Sequence, residues 1–264
     1  MRLKDKVILI TGSYTGIGKA IAKGCVREGA KVILNGLDDL AGEQLYAELG
    51  PENSAMLTID ITEADAAEKL VDLAVERFSK LDALVNNAAT IVSSNIRTTS
   101  SDFLRKVLDI NLVAGLALIE KSLDQLIENK GNVLNIGSIN AWGGEPDLLA
   151  YSISKGGLMT MTRNLGDSLF REYGVRVNQI NPGWVLTDNE MQIKAAQGMK
   201  SDWYRDLPDI FAPAKRLFAP EEIAAGAVFL LSDECGPVSA QVMDLEQFPM
   251  IGRNLPKNWE GSHQ

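Results

Sequence analysis

A tyrosine and a lysine lie four positions apart in the run Tyr151-Ser152-Ile153-Ser154-Lys155. If the segment is helical, these positions share one face, so the phenol and the ammonium can point into the same cavity. A free phenol has a pKa of about 10, too high for a base near neutrality, and a neighbouring cation lowers it. Although this spacing also arises by chance, the pair predicts a general acid–base for an alcohol O–H, with Tyr151 moving the proton.

Two further polar residues could work with this pair. Ser138 follows the apolar run Asn132–Ile136, and the carboxyl end of a central strand is where open α/β sheets bind ligands. Its hydroxyl could hold a substrate oxygen, and the alternative is an N-cap or turn serine. Asn111 lies in a helical segment although asparagine is a mediocre helix former. It could anchor a water that leads to Lys155, or be a satisfied core amide.

A glycine-rich turn runs from Thr11 to Gly18 with the spacing G-x-x-x-G-x-G, directly after the first apolar run. Glycine permits tight turns and lets the backbone approach a ligand closely. The helix that begins there offers unpaired N–H groups and a partial positive charge to a pyrophosphate. The spacing differs from the common G-x-G-x-x-G fingerprint of dinucleotide sites, so a purely structural turn is the alternative.

The segment after the second apolar run bears on which dinucleotide would fit. An acidic side chain there accepts hydrogen bonds from the ribose hydroxyls and repels a 2′-phosphate, whereas arginine does the opposite. Residues 35–39 read NGLDD and contain neither Lys nor Arg, and the glycine turn also lacks both. Asp38 and Asp39 could reach the ribose, or could start the next helix, where acidic residues are favoured. We therefore expect NAD in preference to NADP.

Short apolar runs alternate with helix-period segments along the chain. The runs are rich in Val, Ile and Leu with little alternation, which indicates strands buried on both faces of a parallel sheet. The strand candidates are Val7–Ile10, Lys31–Asn35, Ala55–Ile59, Ala83–Asn86, Asn132–Ile136, Arg176–Ile180 and Gln241–Leu245. The helix candidates are 16–28, 39–49, 63–79, 100–128, 150–172 and 220–231. The alternation predicts an α/β fold, a single Rossmann-type domain with a doubly wound, mostly parallel seven-stranded sheet flanked by helices.

The region 187–219 breaks this alternation. It mixes methionine and aromatic residues with polar residues and two prolines. A long excursion of this kind is often a lid over a binding site, and the alternative is an ordinary pair of surface helices.

The composition excludes several classes of function. The net charge of −9 would repel nucleic-acid backbones, so we expect no nucleic-acid partner. Cys25 and Cys235 form no C-x-x-C pair, and the single histidine is His263, so we expect no metal site. No G-x-S-x-G elbow surrounds Ser138 and no internal histidine can act as base, which argues against a serine hydrolase. The charged start of the chain and the low cysteine content predict no signal peptide, no membrane span and a cytoplasmic location.

Together these motifs resemble the classical short-chain dehydrogenases/reductases. The matching residues occur in order over roughly residues 5–245: the glycine turn, Asn86-Asn87-Ala88-Ala89, Asn111, Ser138, Tyr151 with Lys155, and Pro182-Gly183 with Thr187. The resemblance implies an NAD(P)-dependent oxidoreductase that transfers hydride between nicotinamide and a secondary alcohol or its ketone. It also implies a homotetramer or homodimer, formed through the helices at 100–128 and 150–172 and the C-terminal strand.

The resemblance further implies a role for each matched residue. Tyr151 would be the catalytic acid–base, Lys155 would hold the nicotinamide ribose, Ser138 would orient the substrate oxygen, and Asn111 would hold a proton-relay water. The residues implied to contact the cofactor are Gly12, Tyr14, Thr15, Gly16, Ile17, Gly18, Asp38, Asp60, Ile61, Asn87, Ala88, Ala89, Tyr151, Lys155, Pro182, Gly183 and Thr187. The residues expected to contact the substrate are Ser138, Asn140, Trp142, Tyr151 and Trp184.

Three departures from the family pattern stand out. The NAD-selecting aspartate of the family would align with Gly36 and its NADP-selecting arginine with Leu37, so Gly36→Asp is expected to sharpen a preference for NAD. Ala89 replaces the commoner glycine. The end of the last strand reads DLEQF over residues 244–248 where glycines are usual, and the tail 246–264 is longer than typical. That tail would cover a neighbouring subunit's site, or merely fray.

The aromatic and polar residues expected around the site favour a small polyhydroxylated substrate, such as a sugar, a sugar acid or a polyol. A 3-oxoacyl thioester and a steroid are alternative substrates. A hypothesis of another class is a non-catalytic dinucleotide-binding regulator built on the same fold. Such a protein would be expected to lose the tyrosine or the lysine, and both are present here.

Overall fold

The computed structural model of this chain describes residues 1–249. Within them, seven strands form one sheet in the order β3-β2-β1-β4-β5-β6-β7, and every neighbouring pair is parallel. The strands are β1 (Val7–Ile10), β2 (Lys31–Gly36), β3 (Ser54–Thr58), β4 (Ala83–Asn86), β5 (Asn132–Ile136), β6 (Arg176–Pro182) and β7 (Val242–Leu245). The predicted doubly wound α/β fold is confirmed, because the strand order reverses direction between β1 and β4.

Helices cover both faces of the sheet. They are α1 (Gly16–Arg27), α2 (Asp39–Leu49), α3 (Ala66–Phe78), α4 (Ser101–Leu108), α5 (Ala114–Glu128), α6 (Asn140–Gly143), α7 (Leu149–Tyr173), α8 (Asp188–Ala196) and α9 (Pro220–Leu231). Short 3₁₀ turns follow at Trp203–Asp206 and Asp233–Cys235. No helix of the described part is long and apolar enough to cross a membrane.

The helix predicted over 100–128 is not one regular helix. A π-helical turn, Asp109–Val113, separates α4 from α5 and contains the buried Asn111. The apolar periodicity continues through the turn, so the sequence pattern concealed it. Such turns occur frequently at functional sites.

The apolar strands are buried because helices pack on both sides of them. In β1, Ile8 and Ile10 face one core cluster, which includes Ile21 of α1 and Val228 of α9. Val7 and Leu9 face the second cluster, which includes helices α3 and α5. Burying each aliphatic side chain contributes about 1.5–3 kcal/mol, and alternate residues of the same strand serve both cores. This explains why the strands show no polar alternation.

Between β6 and α9, the region 187–219 carries α8 and the 3₁₀ turn Trp203–Asp206. A parallel bridge between Val185 and Phe218 closes its base, with Phe218 N donating to Trp184 O at 3.0 Å. The side chain of Gln247, just after β7, bonds the Ala214 N–H (2.9 Å) and Arg216 O (2.7 Å). The start of the tail is therefore tied to this excursion, while residues 250–264, including His263, lie outside the described residues.

Candidate active site

Tyr151 and Lys155 lie one turn apart on α7, and both are buried. The Lys155 Nζ atom is 5.6 Å from the centroid of the Tyr151 ring and donates to Ile136 O, at the end of β5, at 2.8 Å. The hydroxyl of Ser138, which also follows β5, accepts from Asn140 N at 3.2 Å and lies near enough to the Tyr151 phenol to lower its pKa. The structure thus brings three of the predicted catalytic residues together at the carboxyl edge of the sheet.

Burial shifts the acidity of both members of the pair. Loss of solvation raises the pKa of Tyr151 to about 12, while the nearby Ser138 hydroxyl acts in the opposite direction. Loss of solvation also lowers the pKa of Lys155 to about 8. In each case burial disfavours the charged form. The shift of Tyr151 is opposite to that expected from Lys155, because desolvation and the charge of Glu145 raise the pKa and only the Ser138 hydroxyl acts against them.

Asn111 joins three parts of the site. Its Oδ1 atom accepts from Thr90 N at 2.8 Å, and its Nδ2 atom donates to Thr90 O and to Ser154 Oγ, both at 3.0 Å. Both amide hydrogens are therefore used, as in the core-amide alternative. The side chain connects the π-helical turn to the loop after β4 and to α7, and the relay water remains a prediction.

The glycine turn is closed against the loop after β4. A Cβ atom on Gly18 would lie 2.3 Å from Gly12 O, so only glycine fits there, and Gly12 has a positive φ of +60°. The Asn87 side chain donates to Thr11 O and Gly12 O at 2.9 and 3.0 Å. The Thr11 hydroxyl in turn accepts from the backbone of Asn87 and Ala88, both at 3.0 Å. The Asn87 amide therefore braces the turn.

The glycine turn leads directly into the start of α1. No side chain of the described residues caps this helix at Thr15, so its first N–H groups lack that partner. Gly16 has a φ of +54°, and a Cβ atom there would lie 3.5 Å from Thr187 Cγ2, which brings the loop after β6 beside the turn. The Thr187 hydroxyl itself caps α8 by accepting from Glu190 N at 3.1 Å. An uncapped helix start behind a glycine cradle fits a dinucleotide pyrophosphate.

The remaining predicted cofactor residues lie along the same edge. Gly183 N donates to Leu245 O at 2.8 Å, and Pro182 O accepts from Ile139 N at 3.3 Å, so this loop is held between β7 and the segment after Ser138. Ile17 and Ile61 are partly exposed, and Ala89 is exposed.

Several side chains predicted to meet the adenosine are already bonded within the protein. Asp38 caps α2 by accepting from Ala41 N at 3.1 Å. Asp60 accepts from the backbone and the hydroxyl of Thr62 at 2.9 and 2.8 Å. Tyr14 is 3% exposed, and its hydroxyl lies 3.1 Å from Thr58 Oγ1. At Tyr14, backbone atoms remain for a ligand, while the ring belongs to the core.

The residues predicted for the substrate side divide into two groups. Trp142 donates its indole N–H to the carboxylate of Asp244 (2.9 and 3.0 Å), and Arg163 lies 5.0 Å from its ring. Asn140 Nδ2 donates to Glu145 Oε2 at 3.2 Å. The polar groups of Trp142 and Asn140 are thus engaged by the protein itself.

The second group forms an aromatic cluster under the excursion. The rings of Trp184 and Trp203 are 5.0 Å apart, and Tyr204 meets Trp203 edge-on at 5.9 Å. Lys194 Nζ lies 5.5 Å from the Trp184 ring and 5.6 Å from the Trp203 ring. Trp184 Nε1 donates to Glu190 Oε1 at 3.0 Å. The cluster begins directly after Pro182-Gly183, which brings it to the catalytic edge.

Sequence reasoning missed the residues that hold Ser138. Ser138 N donates to Asn181 Oδ1 at 3.1 Å, and Asn181 Nδ2 donates to Asp244 Oδ1 at 2.9 Å. The sequence signal was the set of three amide side chains in the segment that forms β6, because amides that are buried in a central strand must find hydrogen-bond partners.

Comparison with known proteins bears on this site. The family described as enoyl-(acyl carrier protein) reductase matches residues 12–246. The NADP-dependent (R)-specific alcohol dehydrogenase of Lentilactobacillus kefiri is 34% identical over 242 residues, covering 88% of this chain and 92% of that protein. Glucose 1-dehydrogenase 2 of Bacillus subtilis is 32% identical over 247 residues, covering 91% and 93%. The crystal structure of a short-chain glucose/ribitol dehydrogenase from Brucella melitensis superposes with a TM-score of 0.82 at 29% identity, covering 92% and 96%.

The chain belongs to the short-chain dehydrogenase/reductase family. It is an NAD(P)-dependent oxidoreductase that acts on the CH–OH group of a secondary alcohol, or on the corresponding ketone. The resemblance stated from the sequence is confirmed.

Proposed function

We propose that the chain interconverts a secondary alcohol and a ketone in a small polyhydroxylated compound, such as a sugar, a sugar acid or a polyol. The observation that carries the catalytic part is the buried convergence of Ser138, Tyr151 and Lys155 at the carboxyl edge of the sheet. When bound, the nicotinamide dinucleotide supplies or accepts the hydride. A non-catalytic regulator would have no need of this convergence.

Proton transfer falls to Tyr151. Its phenol keeps its proton at neutral pH, because burial raises the pKa to about 12. In the reducing direction it can donate this proton to the substrate oxygen, while the Ser138 hydroxyl stabilises the negative charge that develops there. In the oxidising direction the phenolate is needed, and a cation beside the phenol favours it. Lys155 would hold the ribose next to the nicotinamide. Asn111 would hold α7 in position through its hydrogen bond to Ser154.

We propose NAD as the preferred cofactor, held by the glycine turn, Asp60, the loop after β4 and the loop after β6. Asp38, at the start of α2, has a second carboxylate oxygen beyond the one that caps the helix. This acidic residue and the absence of Lys and Arg from residues 35–39 favour a ribose without a 2′-phosphate. The NADP-dependent relative makes direct measurement with both cofactors necessary.

The aromatic cluster supports the substrate class. Trp184 and Trp203 offer apolar ring faces, while Glu190 and Lys194 offer charged groups beside them. Such a combination suits a ring that has C–H faces and hydroxyl edges, and two of the similar proteins are named for sugars or a polyol. A 3-oxoacyl thioester is the second candidate, because the matching family is described by its action on acyl carrier protein substrates.

We further propose that the excursion at 187–219 closes over the substrate as a lid, and that the protein is a cytoplasmic homotetramer or homodimer. Exposed apolar residues on the π-helical turn, α5 and α7 support assembly through these helices, namely Val113, Leu116 and Ile153.

The experiment is a screen of sugars, sugar acids, polyols and simple ketones by nicotinamide absorbance, with NAD and NADP in parallel. Turnover that is fastest on a polyhydroxylated compound with NAD supports the proposal. Turnover confined to 3-oxoacyl thioesters would replace the substrate class, and tight dinucleotide binding without turnover on any compound would favour the regulator.

A further inference from the structure

The ring of Tyr14 occupies the space that a side chain at position 36 would need. A Cβ atom built on Gly36 would lie 2.3 Å from Tyr14 Cδ2 and 2.6 Å from Cγ, distances that real Cβ atoms do not reach. Gly36 is the last residue of β2, the strand whose end faces the adenosine ribose in dinucleotide-binding folds. The substitution Gly36→Asp is therefore blocked unless the tyrosine moves, so the sharper preference for NAD that the sequence predicted for it is not expected while Tyr14 is present.

The Tyr14 ring is also in close contact with α2 and with the end of β3. A Cβ atom on Gly42, in α2, would lie 2.7 Å from Tyr14 Cε2, so a second glycine is needed to admit the ring. The Tyr14 hydroxyl lies 3.1 Å from Thr58 Oγ1 at the end of β3. With 3% of its surface exposed, the side chain has no open volume to retreat into.

The polar side chains of the residues that precede Gly36 and Tyr14 are committed to hydrogen bonds within the protein. Asn35 Nδ2 donates to Leu57 O and Ile59 O at 3.2 and 3.0 Å. Ser13 Oγ accepts from Asn35 N at 2.9 Å. Neither side chain can turn toward a ribose without breaking these bonds. Asp38 differs from both, because it is exposed and uses one carboxylate oxygen for its helix cap.

We propose that Tyr14 is a specificity-determining residue for the dinucleotide, because it fills the place from which residue 36 would otherwise recognise the adenosine ribose. Recognition at the ribose 2′ position then falls to Asp38 rather than to the end of β2. The inference rests on the dinucleotide part of the proposed function. It makes Tyr14 and Gly36 a matched pair, in which a carboxylate at position 36 is accepted only when residue 14 is small.

The test is a double-mutant cycle with Tyr14→Ser, Gly36→Asp and the double variant. Calorimetry gives the dissociation constants for NAD and NADP, and thermal unfolding gives the melting temperature. Leu37→Asp is the matched control, since it adds the same carboxylate at a neighbouring side chain that is 72% exposed. Gly36→Asp alone is expected to weaken both dinucleotides by about tenfold or more and to lower the melting temperature, whereas the control leaves the melting temperature unchanged.

The double variant is expected to bind NAD about tenfold more tightly than Gly36→Asp does, and to reject NADP more strongly than Tyr14→Ser does. If Gly36→Asp does not fold, the NADP dissociation constant of the double variant is compared with that of Tyr14→Ser, and the proposal requires the double variant to bind NADP more weakly. The inference is overturned if Gly36→Asp binds NAD as tightly as the natural chain. It is also overturned if the double variant binds NAD no more tightly than Gly36→Asp does. A natural chain that binds neither dinucleotide would instead overturn the proposed function itself.

Discussion

The glycine turn is held by uncharged side chains that bond the backbone, whereas the cluster around Tyr151 buries two titratable side chains. Thr11 and Asn87 hold the turn through carbonyl and N–H groups, and close packing at Gly18 leaves no free space. The groups left to meet a ligand there are mainly backbone N–H groups. On the catalytic side, Ser138, Tyr151 and Lys155 form a buried cluster in which two groups have strongly shifted pKa values.

The difference follows from what each half has to do. A pyrophosphate is recognised by fixed N–H groups at a helix start, so the binding half gains from rigidity and small residues. Proton transfer needs a titratable group whose protonation state is controlled by its surroundings. The catalytic half therefore buries polar groups, and this burial lowers the stability of the fold. Substitutions in the binding half should therefore act through shape, and those in the catalytic half through charge.

The largest effect is expected from Tyr151→Phe. The change keeps the ring and removes the hydroxyl, so the turnover number should fall by about 10²–10⁴-fold because the general acid–base is lost. The dissociation constant for NAD, measured by calorimetry, should stay near that of the natural chain. Undiminished turnover would show that Tyr151 is not the acid–base. A loss of NAD affinity as large as the loss of turnover would contradict the separation of the binding half from the catalytic half.

Gly18→Ala tests the binding half by shape alone. The added methyl group would meet Gly12 O at 2.3 Å, so we expect dinucleotide binding to collapse and the free energy of unfolding to fall by about 1–3 kcal/mol. Gly143→Ala is the control, because a Cβ atom there meets no described atom within 4 Å. Urea denaturation and calorimetry check both variants. Equal behaviour of the two alanine variants would contradict the tight closure of the turn.

Lys155→Met tests the catalytic half by charge. The lysine pKa falls from 10.5 in its ordinary state to about 8 when buried, so between these values the unfolded chain binds more protons than the folded one. The stability of the natural chain should therefore rise with pH across this window, and the burial penalty is fully present below it. At pH 7 the variant should be more stable by about 1–3 kcal/mol, although it is inactive.

Urea denaturation at pH 7 and at pH 10 measures this gain, which should shrink at the higher pH. Measurements stop at pH 10 because the Tyr151 pKa, raised from 10.0 to about 12, makes stability fall above that point. A variant that is less stable at both pH values would show that the hydrogen bond to Ile136 O matters more than the buried charge.

The smallest effect is expected from Trp203→Phe in the aromatic cluster. The Trp203 Nε1 atom is buried and has no hydrogen-bond partner among the described residues, so removing it should change the free energy of unfolding by less than about 1 kcal/mol. Trp184→Phe is the matched change, and it breaks the bond to Glu190. Thermal unfolding should show the larger loss for Trp184, and the reverse order would contradict the bonding described here.

Local patterns were enough to place most elements of the fold. The apolar runs at 7–10, 83–86 and 132–136 became strands because a residue buried on both sides must be apolar, and that requirement is visible in one dimension. The glycine spacing and the four-residue interval between Tyr151 and Lys155 are also local, since a turn and a single helix are enough to set them. These features led to the family without any structure.

Contacts between distant parts of the chain needed the tertiary structure. Trp142 donates a hydrogen bond to Asp244, 102 positions away, and Tyr14 packs against Gly36. Neither contact could be predicted from residues nearby in the sequence. The π-helical turn at Asn111 could not be predicted for the same reason, because the side-chain amide of Asn111 bonds Thr90 and Ser154, which are distant in the sequence. The direction of the Tyr151 shift was likewise decided by burial, a property of the packed chain, and local sequence carries no measure of how much solvent a side chain loses.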